Sequence, residues 1–285
     1  MTSTDHTVVV AGLAVHELGG DEHGGDEHGP TLVLFHANGD SGGCWPDAAR
    51  RGSPEYRVLA VDMRGHGSSP RFLPDQLVEP GDVFVADTIA VLTALRHKGA
   101  RLGAVGHSLG AAALTGACAA EPGLVDAVVL VDPPWDTPVV SGSRPWLGEQ
   151  RRAEVLAYQR DPAGVLESLR TREPDWPDEE RRGWVAAKTD LDLDYVATGG
   201  GRPSSPWTEL VPRLRAPTLL VTGDRDVLVG PESRAVVDVI GNPAVEVVVI
   251  PGAGHYVRHQ QTKAFHTLVD PWLTARLRGR AIGPD

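Results

Sequence analysis

Cysteine is nearly absent from this 285-residue chain, which carries only Cys44 and Cys118. Two isolated cysteines exclude a disulfide framework and lack metal-ligand spacing, so a reduced, cytoplasmic protein is expected. Basic residues are outnumbered, 27 Lys and Arg against 38 Asp and Glu, giving a formal charge of −11. That deficit argues against a general affinity for nucleic acid or an anionic membrane, both of which attract cations. No apolar run reaches the roughly 18 residues a membrane span needs. The first residues, Met1 to His6, lack the basic start and apolar stretch of a signal peptide. No phosphate-cradling Gly-x-x-x-x-Gly-Lys-Ser/Thr occurs, and Gly65, Gly67 and their neighbours form no dinucleotide fingerprint.

What the chain does have is apolar material, 41 % of its residues, enough for a full core in one large domain or one domain with an insertion. Short Val- and Leu-rich runs recur. Residues 7–10 and 13–17 read as paired first strands, followed by runs at 31–35, 57–61, 101–105, 127–131, 218–222 and 245–250. The later runs are continuous rather than alternating, as expected of parallel strands buried on both faces. Helical patterns at 82–97, 109–120, 231–240 and 262–277 lie between or after them. The result is a doubly wound, mostly parallel eight-stranded α/β sheet.

The rhythm breaks between residues 133 and 210, where no strand-like run appears. Helical patches do, at 151–159 and 162–171, and five of the seven Trp fall here (Trp135, Trp146, Trp176, Trp184, Trp207). A structureless loop of that length is improbable in a compact domain. Residues 133–210 are therefore expected to form a helical cap, inserted between core segments 1–132 and 211–285. Its place after a strand's C-terminal end is where open α/β sheets bind ligands. The tandem repeat at 20–29, Gly-Asp-Glu-His-Gly twice, reads as a solvated hairpin loop. His23 and His28 have no fixed geometry there to preorganise a metal.

The strongest local signal is Gly106-His107-Ser108-Leu109-Gly110, between a strand and an Ala-rich helix. That is the context of a nucleophile elbow, a strained turn lifting a serine hydroxyl clear of the sheet. The glycines remove side chains that would strike neighbouring backbone. A serine hydroxyl needs a base, and the base a carboxylate. His255 follows the last strand, and Asp226 follows the one before it. Asp132, ending the sixth strand, and Asp224 compete with Asp226 for the role of acid, and Asp226 is the preferred candidate. The order Ser, Asp, His is the one such an architecture uses.

With the elbow, Phe35-His36-Ala37-Asn38-Gly39, Asp62-Met63-Arg64-Gly65-His66-Gly67-Ser68 and the Asp and His loops, the chain resembles the α/β-hydrolase fold superfamily. The branch it resembles has a serine nucleophile and a helical cap, and the resemblance covers nearly the whole chain. It implies that the backbone N–H groups of Leu109 and Asn38 hold an oxyanion, that residues 62–68 form a structural turn, and that no cofactor or metal is needed. Ala37 departs from the usual glycine after the histidine, which leaves the placement of Asn38 less defined.

The expected activity is hydrolysis of an ester or related acyl bond of a small, largely apolar substrate through an acyl-enzyme. Ser108, Asp226 and His255 would be catalytic, and Trp135 and Tyr256 would contact substrate. The same triad could serve carbon–carbon, lactone or thioester hydrolysis, perhydrolysis or cyanohydrin lysis. A small-molecule receptor with little turnover is the reading from another class. Serine at position 108 argues against the epoxide- and halide-processing branches, which use a carboxylate there. The expected partner is a small molecule, without nucleic acid or membrane, on a monomer or homodimer. His107 is expected to pack near the core, His259 and His266 to lie at the surface, and Cys44 to be unreactive.

Overall fold

A computed structural model describes residues 6–18, 29–47, 56–96, 100–136 and 144–278. His23 and His28 of the tandem repeat, and the side chain of Trp146, lie outside the described residues. The strands are β1 (His6–Val10), β2 (Leu13–Leu18), β3 (Thr31–Phe35), β4 (Arg57–Val61), β5 (Leu102–His107), β6 (Ala127–Val131), β7 (Thr218–Thr222) and β8 (Val245–Val249). They form one eight-stranded sheet in the order β1-β2-β4-β3-β5-β6-β7-β8. β1 and β2 pair antiparallel, β2 meets β4 antiparallel, and every later pairing is parallel. The eight sequence runs match these strands to within one or two residues.

Alternate residues of the central strands go to opposite faces. Val33, Phe35, Leu59, Val61, Val128 and Leu130 join one core cluster. Leu32, Leu34, Val58, Ala60, Val129 and Val131 join the other. Helices α1 (Pro80–Leu95) and α2 (Leu109–Ala120) cover the first face through Phe84, Val91, Leu92 and Leu114. The second face is closed by the C-terminal helix at Thr262–Leu277 through Phe265, Val269, Leu273 and Leu277. Burying a Val, Leu or Phe side chain is worth about 1.5–3 kcal/mol, so this two-sided burial fixes each strand's register.

Between β6 and β7 lie α3 (Pro145–Arg160), α4 (Pro162–Arg172), α5 (Asp178–Ala187), α6 (Leu193–Thr198) and α7 (Trp207–Leu210). α3 and α4 each start on a proline, whose fixed φ and missing N–H suit a first turn. The Asp161 carboxylate caps α4 by accepting from Gly164 N–H at 2.9 Å. These helices rest on the loops at the C-terminal ends of the strands. Phe72 N–H donates to Asp192 at 2.9 Å, and Asp192 N–H to the Gly65 carbonyl at 2.7 Å. α8 (Pro231–Ile240), the short α9 (Val257–Gln260) and α10 (Thr262–Leu277) are the last helices among the described residues.

Candidate active site

Ser108 sits between the last residue of β5 and the first of α2, with φ +50° and ψ −107°. A positive φ at a residue with a Cβ costs on the order of 1–3 kcal/mol and persists only where its surroundings hold it. Ser108 N–H donates to the Val131 carbonyl at 2.9 Å, and Gly110 N–H to the His36 carbonyl at 3.1 Å. The flanking glycines let these bonds form. A Cβ on Gly106 would lie 2.6 Å from Ala111 N, and one on Gly110 would lie 2.3 Å from the Phe35 carbonyl oxygen.

His255 follows β8, and its Nδ1 meets Asp132 Oδ2 at 2.6 Å. Asp132 is fully buried at the end of β6. It also accepts from Thr222 Oγ1 at 2.7 Å and from the N–H groups of Leu228 and Val229 at 3.0 Å each. Burial alone would raise this carboxyl. The His255 hydrogen bond and charge, with the Leu228 and Thr222 donors, outweigh burial and hold it below the usual carboxylate range.

This corrects the expectation for the acid. Asp226 is exposed at φ +48° and makes no bond to His255. The loop after β7 contributes the Leu228 and Val229 N–H groups that cradle Asp132, rather than a carboxylate of its own. Asp224 faces away, accepting from Gly252 N–H at 2.8 Å. Asp132 on Nδ1 leaves Nε2 of His255 as the ring nitrogen free to act as base. His107 is buried and bonds the His255 carbonyl through Nε2 at 2.9 Å, which fixes the loop carrying His255.

Asn38 stands exposed in the turn after β3, with Leu109 across from it at the start of α2. Neither of their N–H groups has a backbone acceptor among the described residues. The turn is fastened by two buried imidazoles. His36 donates from Nδ1 to the Ala37 carbonyl at 2.7 Å and accepts at Nε2 from Met63 N–H at 3.0 Å. His66 donates to the Arg64 carbonyl at 2.8 Å and accepts from Gly39 N–H at 3.1 Å. Burial holds both rings below their ordinary value, and each therefore has one donor and one acceptor nitrogen. Lys188 Nζ donates to the Gly39 carbonyl and meets Asp40 at 3.2 Å, while Tyr195 Oη donates to Asn38 Oδ1 at 3.1 Å. The departure at Ala37 is thereby accommodated. Gly39, not residue 37, takes the left-handed φ of +77°.

Residues 62–68 form the structural turn expected of them. Asp62 accepts from Gly42 N–H at 2.7 Å and from Ser68 N–H at 2.8 Å, and its other partner is His16 Nε2 at 2.9 Å. Cys44 is buried, and burial pushes its thiol up to about 12, so it holds its proton. Among the described residues no group of three or more His, Cys, Asp or Glu side chains is placed to hold a metal ion.

Ser108, Leu109, Asn38 and His255 line one cavity of about 410 Å³ beneath the helices that follow β6. Tyr256 lines it too, and accepts from Trp184 Nε1 at 3.3 Å. Trp135 does not. It is 1 % exposed and stacks on Trp207 with centroids 5.4 Å apart. Trp176 is also buried, against Tyr256 and His259. Of the Trp residues in this region with described side chains, only Trp184 reaches the cavity, and the others pack the helices together. The cavity wall also holds Arg151, Glu154, Tyr158, Lys188 and Arg202, which the sequence reading missed. No motif marks them, and the tryptophan count pointed elsewhere.

His259 and His266 are not at the surface, being 3 % and 5 % exposed. They belong to a buried ionic cluster. Arg258 bonds both Asp47 and Glu180, His266 Nε2 meets Asp47 at 2.9 Å, and His259 Nε2 meets Glu180 at 3.2 Å. Burial pushes the Glu180 carboxyl up to about 7 against the pull of Arg258. The cluster ties α5 to α9, immediately after His255.

A strained serine at a strand–helix turn, with a histidine–aspartate pair on its cavity, defines a hydrolase-type site on a doubly wound sheet. The chain belongs to the alpha/beta hydrolase family, whose sequence profile matches residues 32–268. It is similar to a 2-(acetamidomethylene)succinate hydrolase of Mesorhizobium japonicum, 31 % identical over 247 residues that cover 80 % of this chain and 82 % of that protein. A crystal structure of E-2-(acetamidomethylene)succinate hydrolase superposes with a TM-score of 0.71 at 23 % identity, covering 98 % of this chain and 100 % of the other. The enol-lactonase of Burkholderia xenovorans LB400 gives a TM-score of 0.67 at 20 % identity, covering 94 % and 100 %. A hydrolase role follows for this chain. No helix among the described residues is long and apolar enough to cross a membrane.

Proposed function

We propose that this protein hydrolyses an ester or related acyl bond through a covalent acyl-enzyme on Ser108, with His255 as base and Asp132 as its carboxylate. The observation that carries the reading is the His255 Nδ1–Asp132 contact of 2.6 Å on the cavity that Ser108 also lines. His255 Nε2 takes the hydroxyl proton as Ser108 Oγ bonds to the carbonyl carbon. The oxyanion that forms is held by the N–H groups of Leu109 and Asn38, worth about 100–1,000-fold in turnover per donor. The tetrahedral intermediate collapses, and the leaving group departs with the proton from His255. Water then attacks the acyl-serine with His255 again as base, releasing the acid and restoring Ser108.

Residues 133–210 act in this reading as a cap that shapes the substrate cavity and excludes water. The burial of both thiols suits a reducing cytoplasm. The relatives whose names specify an amide-bearing succinate and an enol-lactone support an acyl bond as the target, and leave amides and lactones beside esters.

The test is turnover of p-nitrophenyl esters from acetate to decanoate by wild type, Ser108→Ala, Asp132→Asn and Asp226→Asn. Serine-dependent turnover with a collapse in Asp132→Asn is expected. Ligand-induced thermal stabilisation without turnover of any acyl substrate would favour the receptor reading instead.

A further inference from the structure

The chain carries a charge of −11, yet the wall of its cavity is rich in cations: Arg151, Lys188 and Arg202 face a single carboxylate, Glu154. Two of the three cations are already matched. Lys188 is buried against Asp40 and the Gly39 carbonyl. Arg202 pairs with Asp136, which Arg144 shares at 3.2 Å. Arg151 differs. It lies exposed on α3, and among the described residues no carboxylate pairs with it. Glu154, one turn along the same helix, is instead bonded by Gln150 at 3.1 Å. Burial, and then the charges of Arg144 and Arg151, hold Arg202 below its ordinary value despite Asp136. Arg144 and Arg202 thus share the one carboxylate of Asp136, and the unmatched charge on the cavity wall is Arg151.

We propose that the substrate carries a carboxylate in addition to its scissile acyl bond, and that Arg151 binds it. This rests on the acyl-hydrolase reading of the Ser108 site and corrects the expectation of a largely apolar substrate. A guanidinium suits the task because its planar fork of N–H donors matches both oxygens of a carboxylate. A cavity of about 410 Å³ holds a small molecule, so one anionic group fixed at its wall also orients the rest of the ligand toward Ser108. Tyr158 and Trp184 supply apolar contact for the connecting carbons.

The test uses two matched pairs of esters at pH 7.5. Mono-p-nitrophenyl adipate against p-nitrophenyl hexanoate places the charge on the acyl side. 4-Acetoxybenzoate against its methyl ester places it on the leaving group. One anionic member is expected to exceed its neutral partner by at least about tenfold in kcat/KM. In Arg151→Gln that ratio falls by about 10- to 100-fold, chiefly through KM, the scale of one lost charged hydrogen-bond pair. Arg151→Lys recovers part of it. Glu149→Gln, on the solvent side of the same helix, retains the ratio. Ratios near one in both pairs, or a ratio untouched in Arg151→Gln, would overturn the proposal. If no ester is turned over, the acyl reading fails for esters, and calorimetric titration with adipate and 4-hydroxybenzoate decides the anion site separately. Binding weakened at least about tenfold in Arg151→Gln sustains it, while equal affinity or no binding removes it.

Discussion

Asp132→Asn is the perturbation that tests the site most sharply, because it keeps the volume and changes only charge and donor pattern. Each carboxylate oxygen of Asp132 receives two donors. Oδ1 takes Thr222 Oγ1 and Val229 N–H, and Oδ2 takes His255 Nδ1 and Leu228 N–H. An amide NH₂ in the place of Oδ2 would face two N–H groups. His255 could answer only by moving its proton to Nε2, and a protonated Nε2 cannot accept from Ser108. An NH₂ in the place of Oδ1 would keep the His255 bond, strand Val229 N–H, and still remove the negative charge that stabilises the imidazolium.

Either way the base is lost or weakened. For a triad whose histidine takes the wrong tautomer, kcat falls by about 10⁴, equivalent to about 5 kcal/mol of barrier. A stability cost of about 1–3 kcal/mol accompanies it, from one buried donor left without a partner. That cost has a definite pH dependence. The folded Asp132 carboxyl lies below its unfolded value of 3.8, so its stabilisation is present above pH 3.8 and is lost as pH falls through the folded value. The stability gap between wild type and Asp132→Asn should therefore be widest near neutrality and narrow as pH falls below 3.8 toward the folded value. Steady-state kcat on p-nitrophenyl acetate and urea unfolding at pH 3.5 and 7 read both effects. A kcat within tenfold of wild type in Asp132→Asn, beside a collapse in Asp226→Asn, would refute the assignment.

Gly110→Ala should destabilise the fold by about 1–3 kcal/mol in urea midpoint and cut kcat, since its Cβ would meet the Phe35 carbonyl oxygen at 2.3 Å. Wild-type stability would mean the elbow has room that this geometry denies. Lys188→Met leaves Asp40, 2 % exposed, as a buried charge without its cation, and should cost about 3–5 kcal/mol by denaturant titration. His266→Gln reads the buried cluster. Burial lowers His266, but its bonds to Asp270 and Asp47 prevail and raise it above 6.5. Its stabilisation is therefore complete below pH 6.5 and fades as pH rises through the folded value, so the Tm deficit of the variant should be larger at pH 6 than at pH 9. An equal deficit at both would remove the charge from the account.

The parts of this molecule that sequence shows plainly are those set by local rules. The central aliphatic runs became strands because burial on both faces demands continuous Val and Leu, and Gly106 and Gly110 announced the strand–helix turn because a Cβ at either would strike backbone. The carboxylate partner of His255 was less legible, since the choice between Asp132 and Asp226 depends on which carboxylate loses its solvent. Both residues end a strand or open a loop at the same sheet edge, and both take a positive φ. Only the folded arrangement gives Asp132 four donors and leaves Asp226 in water. The same applies to charge under the helices. Arg151 and Arg202 are ordinary arginines along the chain, and Asp136 and Asp40 lie far from Arg202 and Lys188 in sequence. Which cation is neutralised and which remains open is a property of pairing across the fold. The tryptophans misled for the converse reason: they were spent on packing, Trp135 and Trp207 in the main core against the sheet and Trp176 in a small cluster with Leu169 and Val185. What is left to face a ligand is the charge that the packing did not use.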